Sequence, residues 1–375
     1  MDATRPWFER PEYQGRLARV QQALRDGGHD ALLAFLPETV TWVTGFYTRG
    51  NWTFQMAVIP ESGAPIVICR DVELFYLDRT CVFPDRELWS DTDAPLEVAV
   101  RAIRARLGDK AKVAVEMSGG SLSLRGFEAL KAGLPDYEMT DESTLVSRMR
   151  IIKTPAEIDF QRRAGKAAEA GMQAAIDSAQ PGNTEREMAA QICAAMIRAG
   201  SDLPGPGVMS SGERAYHLHG GYTDRVLERG DMVQIETTPN VHHYHARFMR
   251  PIRVAEAGDA DHATVETLIR LQDAALAEVR PGVAASVPDA ILRDGVLVAG
   301  LRETFTNKTF YAVGLQLGGG GEPLEAVRGS AWTFETGMTF HTYVLARGFG
   351  MSETIAITET GFERLTNFPR RLFIS

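Results

Sequence analysis

Cysteine is scarce: Cys69, Cys81 and Cys193 are scattered, and no two are spaced as a CxxC pair. That excludes a thiolate metal ribbon or a dithiol redox motif and fits a reducing compartment. Positive charge is also short. A net charge of -9 argues against nucleic acid as the main partner. No apolar run is long enough to span a bilayer, and Met1 to Arg10 mixes charges without the apolar stretch of a signal peptide. The expectation is a cytoplasmic protein with no membrane or nucleic-acid partner. What is there is ordinary for a globular chain: 44% hydrophobic and 24% charged residues, in a 375-residue length that provides for two domains.

The first part alternates helix and strand. Leu17, Val20 and Leu24 fall at helical spacing, predicting a helix from Tyr13 that Gly27-Gly28 ends. Asp30 to Phe35 predicts a buried strand, and Thr39 to Gly45 a short helical turn. Phe46 to Trp52 is a loop dense in aromatics, arginine and glycine. Met56 to Pro60 and Pro65 to Cys69 predict a hairpin. Val98 to Leu107 and Leu122 to Ala132 predict helices around a strand at Val113 to Glu116. This pattern implies an α/β domain with a mixed sheet. Arg148 to Glu157 is the boundary: Thr154-Pro155 followed by Glu157 starts a long helix that runs to about Ser178. Domains are expected at 1–150 and 151–375.

The second part carries a weak internal repeat. One helix ends at Gln180-Pro181-Gly182 and another follows through Ile192 and Met196. A helix from about His262 ends at Arg280-Pro281-Gly282, and another follows through Ile291 and Val298. Duplication of a half-unit is one reading; Pro-Gly stopping helices, as it does everywhere, is the other.

Between the repeats lies Gly230-Asp231-Met232-Val233-Gln234-Ile235-Glu236-Thr237. It reads as a turn and an apolar strand with a carboxylate, Glu236, near its end. A charge set into an apolar strand needs a partner or a job, and Arg250 is a candidate partner. His219 precedes it on a His-Gly turn, with His217 a competitor on the same loop. His242-His243-Tyr244-His245 offers another possibility: on a strand His243 and His245 share a face and could chelate a metal.

The frame His219-Gly220, then Asp224-Arg225-x-Leu227-x-x-Gly230-Asp231 and an apolar strand, resembles the pita-bread hydrolases: aminopeptidase P, prolidase, creatinase and ectoine hydrolase. The Lys153-Thr154-Pro155-Ala156-Glu157 junction is similar to theirs. The resemblance implies an α/β (α+β) protein, with a creatinase-like N-terminal domain and a pita-bread domain built as a pseudo-twofold repeat. In the metallopeptidase branch two Asp, a His and two Glu hold two metal ions. Traced along this chain, those positions hold Glu236, Ala246, Leu315, Tyr343 and Ser352, with Glu353 in the last place after a one-residue slip. Too few ligands remain for a metal pair. No metal and no other cofactor are therefore expected.

Among metal-free relatives the chain looks most like ectoine hydrolase, then creatinase. Gly337-Met338-Thr339-Phe340-His341, Ser352 to Gly361, and Tyr311 to Leu317 resemble the ectoine enzymes' segments. Departures fall at Tyr244 to Arg250, at Val344 to Gly350, and at Gly318-Gly319-Gly320-Gly321, where those enzymes carry a Trp. The resemblance implies a metal-independent hydrolase of an amide or amidine C–N bond in a small zwitterionic or cyclic compound. Glu236 and His219 would be catalytic. His341, Tyr343, Leu315, Glu353 and Arg250 would line the substrate site. It also implies a homodimer in which Arg49 and Trp52 reach the neighbour's pocket. A Xaa-Pro metallopeptidase and a non-catalytic binding module are the alternatives.

Overall fold

The computed structural model describes residues 4–118, 122–205, 207–318 and 322–375. The chain forms two compact units: one from the described residues among Met1–Arg150 and Gln316–Gly321, the other from Ile151–Leu315 and Glu322–Ser375. The described residues 316–318 thus group with the first unit, although they lie far along the sequence of the second. Gly319, Gly320 and Gly321 of the glycine run lie outside the described residues.

The first unit is a six-stranded sheet with helices. Its strands are β1 (Ala31–Ala34), β2 (Met56–Pro60), β3 (Ile66–Arg70), β4 (Arg86–Trp89), β5 (Lys112–Val115) and β6 (Glu138–Asp141), in the order β4-β3-β2-β1-β5-β6. The β1–β2 and β2–β3 pairs are antiparallel and the other three parallel. Helices α1 (Arg10–Gly27), α2 (Pro37–Thr44), α3 (Leu74–Thr80), α4 (Pro95–Leu107), α5 (Leu124–Gly133) and α6 (Leu145–Met149) complete it. Gly28 and Gly45 end α1 and α2 in the left-handed region, the C-cap role glycine fills without a Cβ clash. Four elements escape the sequence reading: α3, β4, β6 and α6. All are short, and β4 and β6 face solvent along much of their length.

The second unit begins with α7 (Pro155–Ser178). Thr154 Oγ1 accepts from Glu157 N and the Glu157 carboxylate accepts from Thr154 N, a reciprocal cap. Then come α8 (Glu185–Arg198), β7 (Met209–Ser211), β8 (Met232–Thr237), the short strands β9 (Asn240–Val241) to β12 (Ile252–Arg253), α9 (Asp259–Ala277) and α10 (Ser286–Val298). Between β9 and β12 lie β10 (Tyr244–His245) and β11 (Phe248–Met249). Last are β13 (Phe310–Ala312), β14 (Glu325–Ala326), β15 (Thr339–Ala346), β16 (Phe349–Ile357), β17 (Phe362–Arg364) and β18 (Phe373–Ile374). One sheet runs β11-β8-β12-β18 with β7 on β8; the other runs β14-β13-β15-β16-β17.

The internal repeat is real. Gly182 N donates to Leu227 O at 2.9 Å, and Gly282 N to Phe334 O at 2.9 Å. Gly230 N donates to Val254 O at 2.8 Å, and Gly337 N to Ile357 O at 2.9 Å. Val254 N returns to Asp231 O, and Ile357 N to Met338 O. Two half-units therefore repeat the same helix–Pro-Gly–helix–strand connections. Counting on from Asp231 and Met338, Glu236 of β8 and Tyr343 of β15 stand at equivalent steps.

Candidate active site

Glu236 is buried near the end of β8, and its neighbours in the strand pack into the core beside α7 and α8. Antiparallel pairing sets Met249 of β11 opposite it. The chain enters β11 through Arg247, whose backbone is fixed at both groups: N donates to Thr354 Oγ1, and Thr354 Oγ1 donates back to its carbonyl, both at 2.8 Å. Arg247 Nε then donates to Glu236 Oε1 at 2.6 Å. The partner of Glu236 is thus Arg247, not Arg250. Ala246, the residue traced to the second ligand position, is buried off the cavity wall, and Arg247 is the side chain that meets Glu236.

β15 supplies the opposite chemistry. His341 and Tyr343 are alternate residues and share a face. Tyr311 of β13 pairs directly with His341, so its side chain stands on that face too. Tyr311 Oη lies 2.8 Å from His341 Nδ1, and His341 stacks on Tyr343 with centroids 5.4 Å apart and planes at 10°. His341 Nε2 lies 3.6 Å from Glu236 Oε1. Burial, with help from the Arg247 charge, holds the imidazole pKa well below its usual value, so His341 is neutral. Burial and the Glu236 charge push the Tyr311 phenol far above its usual range, so it keeps its proton. With both rings neutral, Tyr311 O–H donates to Nδ1 in one imidazole tautomer and Nδ1–H donates to Tyr311 Oη in the other, while Nε2 makes no hydrogen bond to a described residue. Burial also raises Tyr343, whose oxygen accepts from Asn307 Nδ2 at 3.0 Å.

These groups open on a cavity of about 500 Å³ lined by Glu236, Arg247, Tyr311, His341, Tyr343 and His219, with Leu218, Met249, Asn307 and Lys308 completing much of the wall. His219 sits on an exposed loop with φ 65°, and Gly220 follows where a Cβ would collide with Ser210. The buried Glu185 holds both ends of that loop. Its carboxylate accepts from Ser211 N at 2.8 Å, Thr223 N at 2.7 Å and Thr223 Oγ1 at 2.7 Å, and also pairs with Arg214. His217 is exposed and off the cavity wall.

The other expected residues scatter. Arg250 and Glu353 form a fully buried ion pair at 2.8 Å, and Arg250 also donates to the carbonyls of Met249, Ser352, Phe368 and Pro369. This is a structural clamp. Glu353 faces away because it alternates with Ser352 and Thr354 on β16, so the one-residue slip would put the carboxylate on the wrong face. Leu315 is buried in a bridge with Tyr244, off the cavity wall. In the first unit, Phe46 and Tyr47 are buried, whereas Arg49 is exposed and Trp52 is 78% exposed. His243 and His245 do not share a strand face: His242 and His243 form the two-residue turn between β9 and β10, with φ 49° and 59°. Arg247, Tyr311, Asn307 and Lys308 were missed. The signal available was the unpaired charge of Glu236, which required a cation, and the Tyr311 segment, which the sequence comparison touched without assigning a role.

A metal ion does not fit this donor set. Oε1 of Glu236 is taken by a guanidinium, which would repel a second cation. Glu325, the other carboxylate on the wall, pairs with Lys308. Among the described residues, no three His, Cys, Asp or Glu side chains converge as a metal site.

Comparison with known proteins gives the lineage. Residues 159–359 match the pattern of metallopeptidase family M24, and residues 16–152 that of the creatinase/prolidase N-terminal domain. The probable dipeptidase PepE of Mycobacterium tuberculosis is 28% identical over 380 residues, covering 98% of each chain. The ectoine hydrolase of Halomonas elongata is 26% identical over 399 residues, again covering 98% of each. The crystal structure of the prolidase from Pyrococcus horikoshii OT3 superimposes with a TM-score of 0.84 at 22% identity, covering 95% of this chain and 99% of that one, a likeness of fold.

Proposed function

Because this chain belongs to metallopeptidase family M24 and is a hydrolase of that family, we propose that it cleaves a C–N bond of a small polar compound without a metal ion. The ion-paired carboxylate of Glu236 beside a neutral His341, in a wall that offers no metal-binding cluster, is the observation that carries this reading. Glu236 attacks the amide or amidine carbon, or takes a proton from the water that does. The C–N electron pair goes to nitrogen, which takes a proton from His219. Water supplies the oxygen on carbon, and the amine departs. In the tautomer that carries its hydrogen on Nε2, His341, held by Tyr311, donates it to the charge that develops. The products are an amine together with an acid from an amide, an amide from an amidine, or a urea from a guanidine. The likeness to an ectoine hydrolase supports a zwitterionic or cyclic substrate. The likeness to dipeptidases supports a second reading, a dipeptide substrate.

Metal content and hydrolysis test this together. The purified protein is expected to hold no stoichiometric metal and to hydrolyse ectoine, creatine or a related amide equally with and without chelator. Activity on a Xaa-Pro dipeptide that a chelator abolishes would establish the second reading. Glu236→Gln is expected to lower turnover by roughly a thousandfold or more while the protein still folds; full activity in that variant would remove Glu236 from the chemistry. The reading includes a cytoplasmic homodimer in which Trp52 and Arg49 reach the partner's cavity. Mixing Trp52→Ala with Glu236→Gln subunits should then restore part of the activity each lacks.

A further inference from the structure

Arg247 does more than neutralise Glu236. A guanidinium has five N–H donors in a planar fork. Here Nε serves Glu236, while Nη1 and Nη2 bond no described residue. The side chain is a quarter exposed, and it lines the cavity. It is also held in place: its backbone is fastened to Thr354, and its guanidinium carbon lies 5.3 Å from the Tyr311 ring centroid. The other cation on the wall, Lys308, is engaged with Glu325. So the cavity presents one fixed, charged, two-pronged donor whose outer edge is unused.

That edge matches a planar oxyanion, which Arg grips bidentately and more firmly than a Lys point charge would. We propose that Nη1 and Nη2 of Arg247 bind a carboxylate of the substrate. Because the same guanidinium holds Glu236 through Nε, one side chain spaces the substrate's acid group from the carboxylate that acts on its C–N bond. The inference rests on the hydrolytic reading of Glu236 and adds the anchor of the substrate's acid group.

Calorimetric binding of N-acetylglycine and N-acetylglycinamide, which differ in the carboxylate, is the test. Wild-type protein is expected to bind the acid at least about tenfold more tightly than the amide. Arg247→Gln should weaken the acid to the level of the amide and leave the amide unchanged. Arg247→Lys, which keeps the charge and loses the fork, should fall between them and serves if the Gln variant does not fold. Glu236→Gln keeps Arg247 and should bind the acid while failing to turn it over. Equal affinities in wild type, no binding of either compound, or discrimination that survives in both Arg247 variants would overturn the proposal. Loss of turnover in Glu236→Gln alongside equal affinities would remove only the Arg247 assignment. Turnover retained in Glu236→Gln would remove the hydrolytic reading and leave the binding result standing.

Discussion

His341 is neutral because it is buried beside a cation, and this gives the protein a pH signature. In the unfolded chain a histidine titrates near 6.5. Folding lowers that value, so between the two the unfolded state holds more protons and stability rises with pH. The contribution is complete above about pH 6.5 and is lost as pH falls toward the folded value. Melting curves between about pH 5 and 8 should show wild type losing stability on acidification faster than His341→Gln. An equal slope would mean that the imidazole accepts a proton in the folded state. Glu236 was legible in the sequence because a carboxylate in an apolar run is conspicuous. Its partner was not. Arg247 and Arg250 are both near in sequence, and only the β8–β11 register, with Met249 opposite Glu236, decides which of them meets it.

At the level of elements, the site depends on two strand pairings that sequence pattern alone leaves loose. β15 and β16 are buried on both faces, so apolar and polar residues do not alternate, and the slip between Ser352 and Glu353 stayed open. The hairpin turn fixes it. Arg347 and Gly348 both have positive φ, 51° and 81°, between Ala346 and Phe349. A left-handed arginine is strained there, whereas Asn-Gly is the favoured pair for such a turn. Arg347→Asn is expected to stabilise the protein by about 0.5–1 kcal/mol, read as a higher melting temperature with unchanged activity. A lower one would show that the Arg347 bond to Gly300 O matters more than the strain. The His242-His243 turn shows the converse. Alternate residues His243 and His245 suggested one strand face, whereas positive φ at His242 and His243 makes that pair a turn.

In the whole molecule, the two-part organisation was legible from Thr154-Pro155 because helix punctuation is local, whereas the paired Pro-Gly stops left duplication as one of two readings. The grouping of 316–318 with the first unit was not legible, since it depends on contacts remote in sequence. Leu317 N and Gly318 N both donate to Glu38 Oε1, at 2.7 and 3.0 Å. On the reading proposed above, fold family and metal use come apart. A ligand that binds only the native state raises the melting temperature in proportion to its occupancy. Added manganese, cobalt or zinc should leave the melting temperature of this protein unchanged. A dose-dependent rise that Glu236→Gln abolishes would show a metal displacing Arg247. Finally, the equivalent steps held by Glu236 and Tyr343 have a geometric consequence. The backbone of the two half-units repeats, but an anion stands at one step and a phenol at the other. A cradle of that kind has a front and a back. An acid-bearing ligand of the kind proposed, turned end for end, would bring its own acid against Glu236 and forfeit Arg247, so a repeated backbone becomes a directional cradle through the side chains it carries.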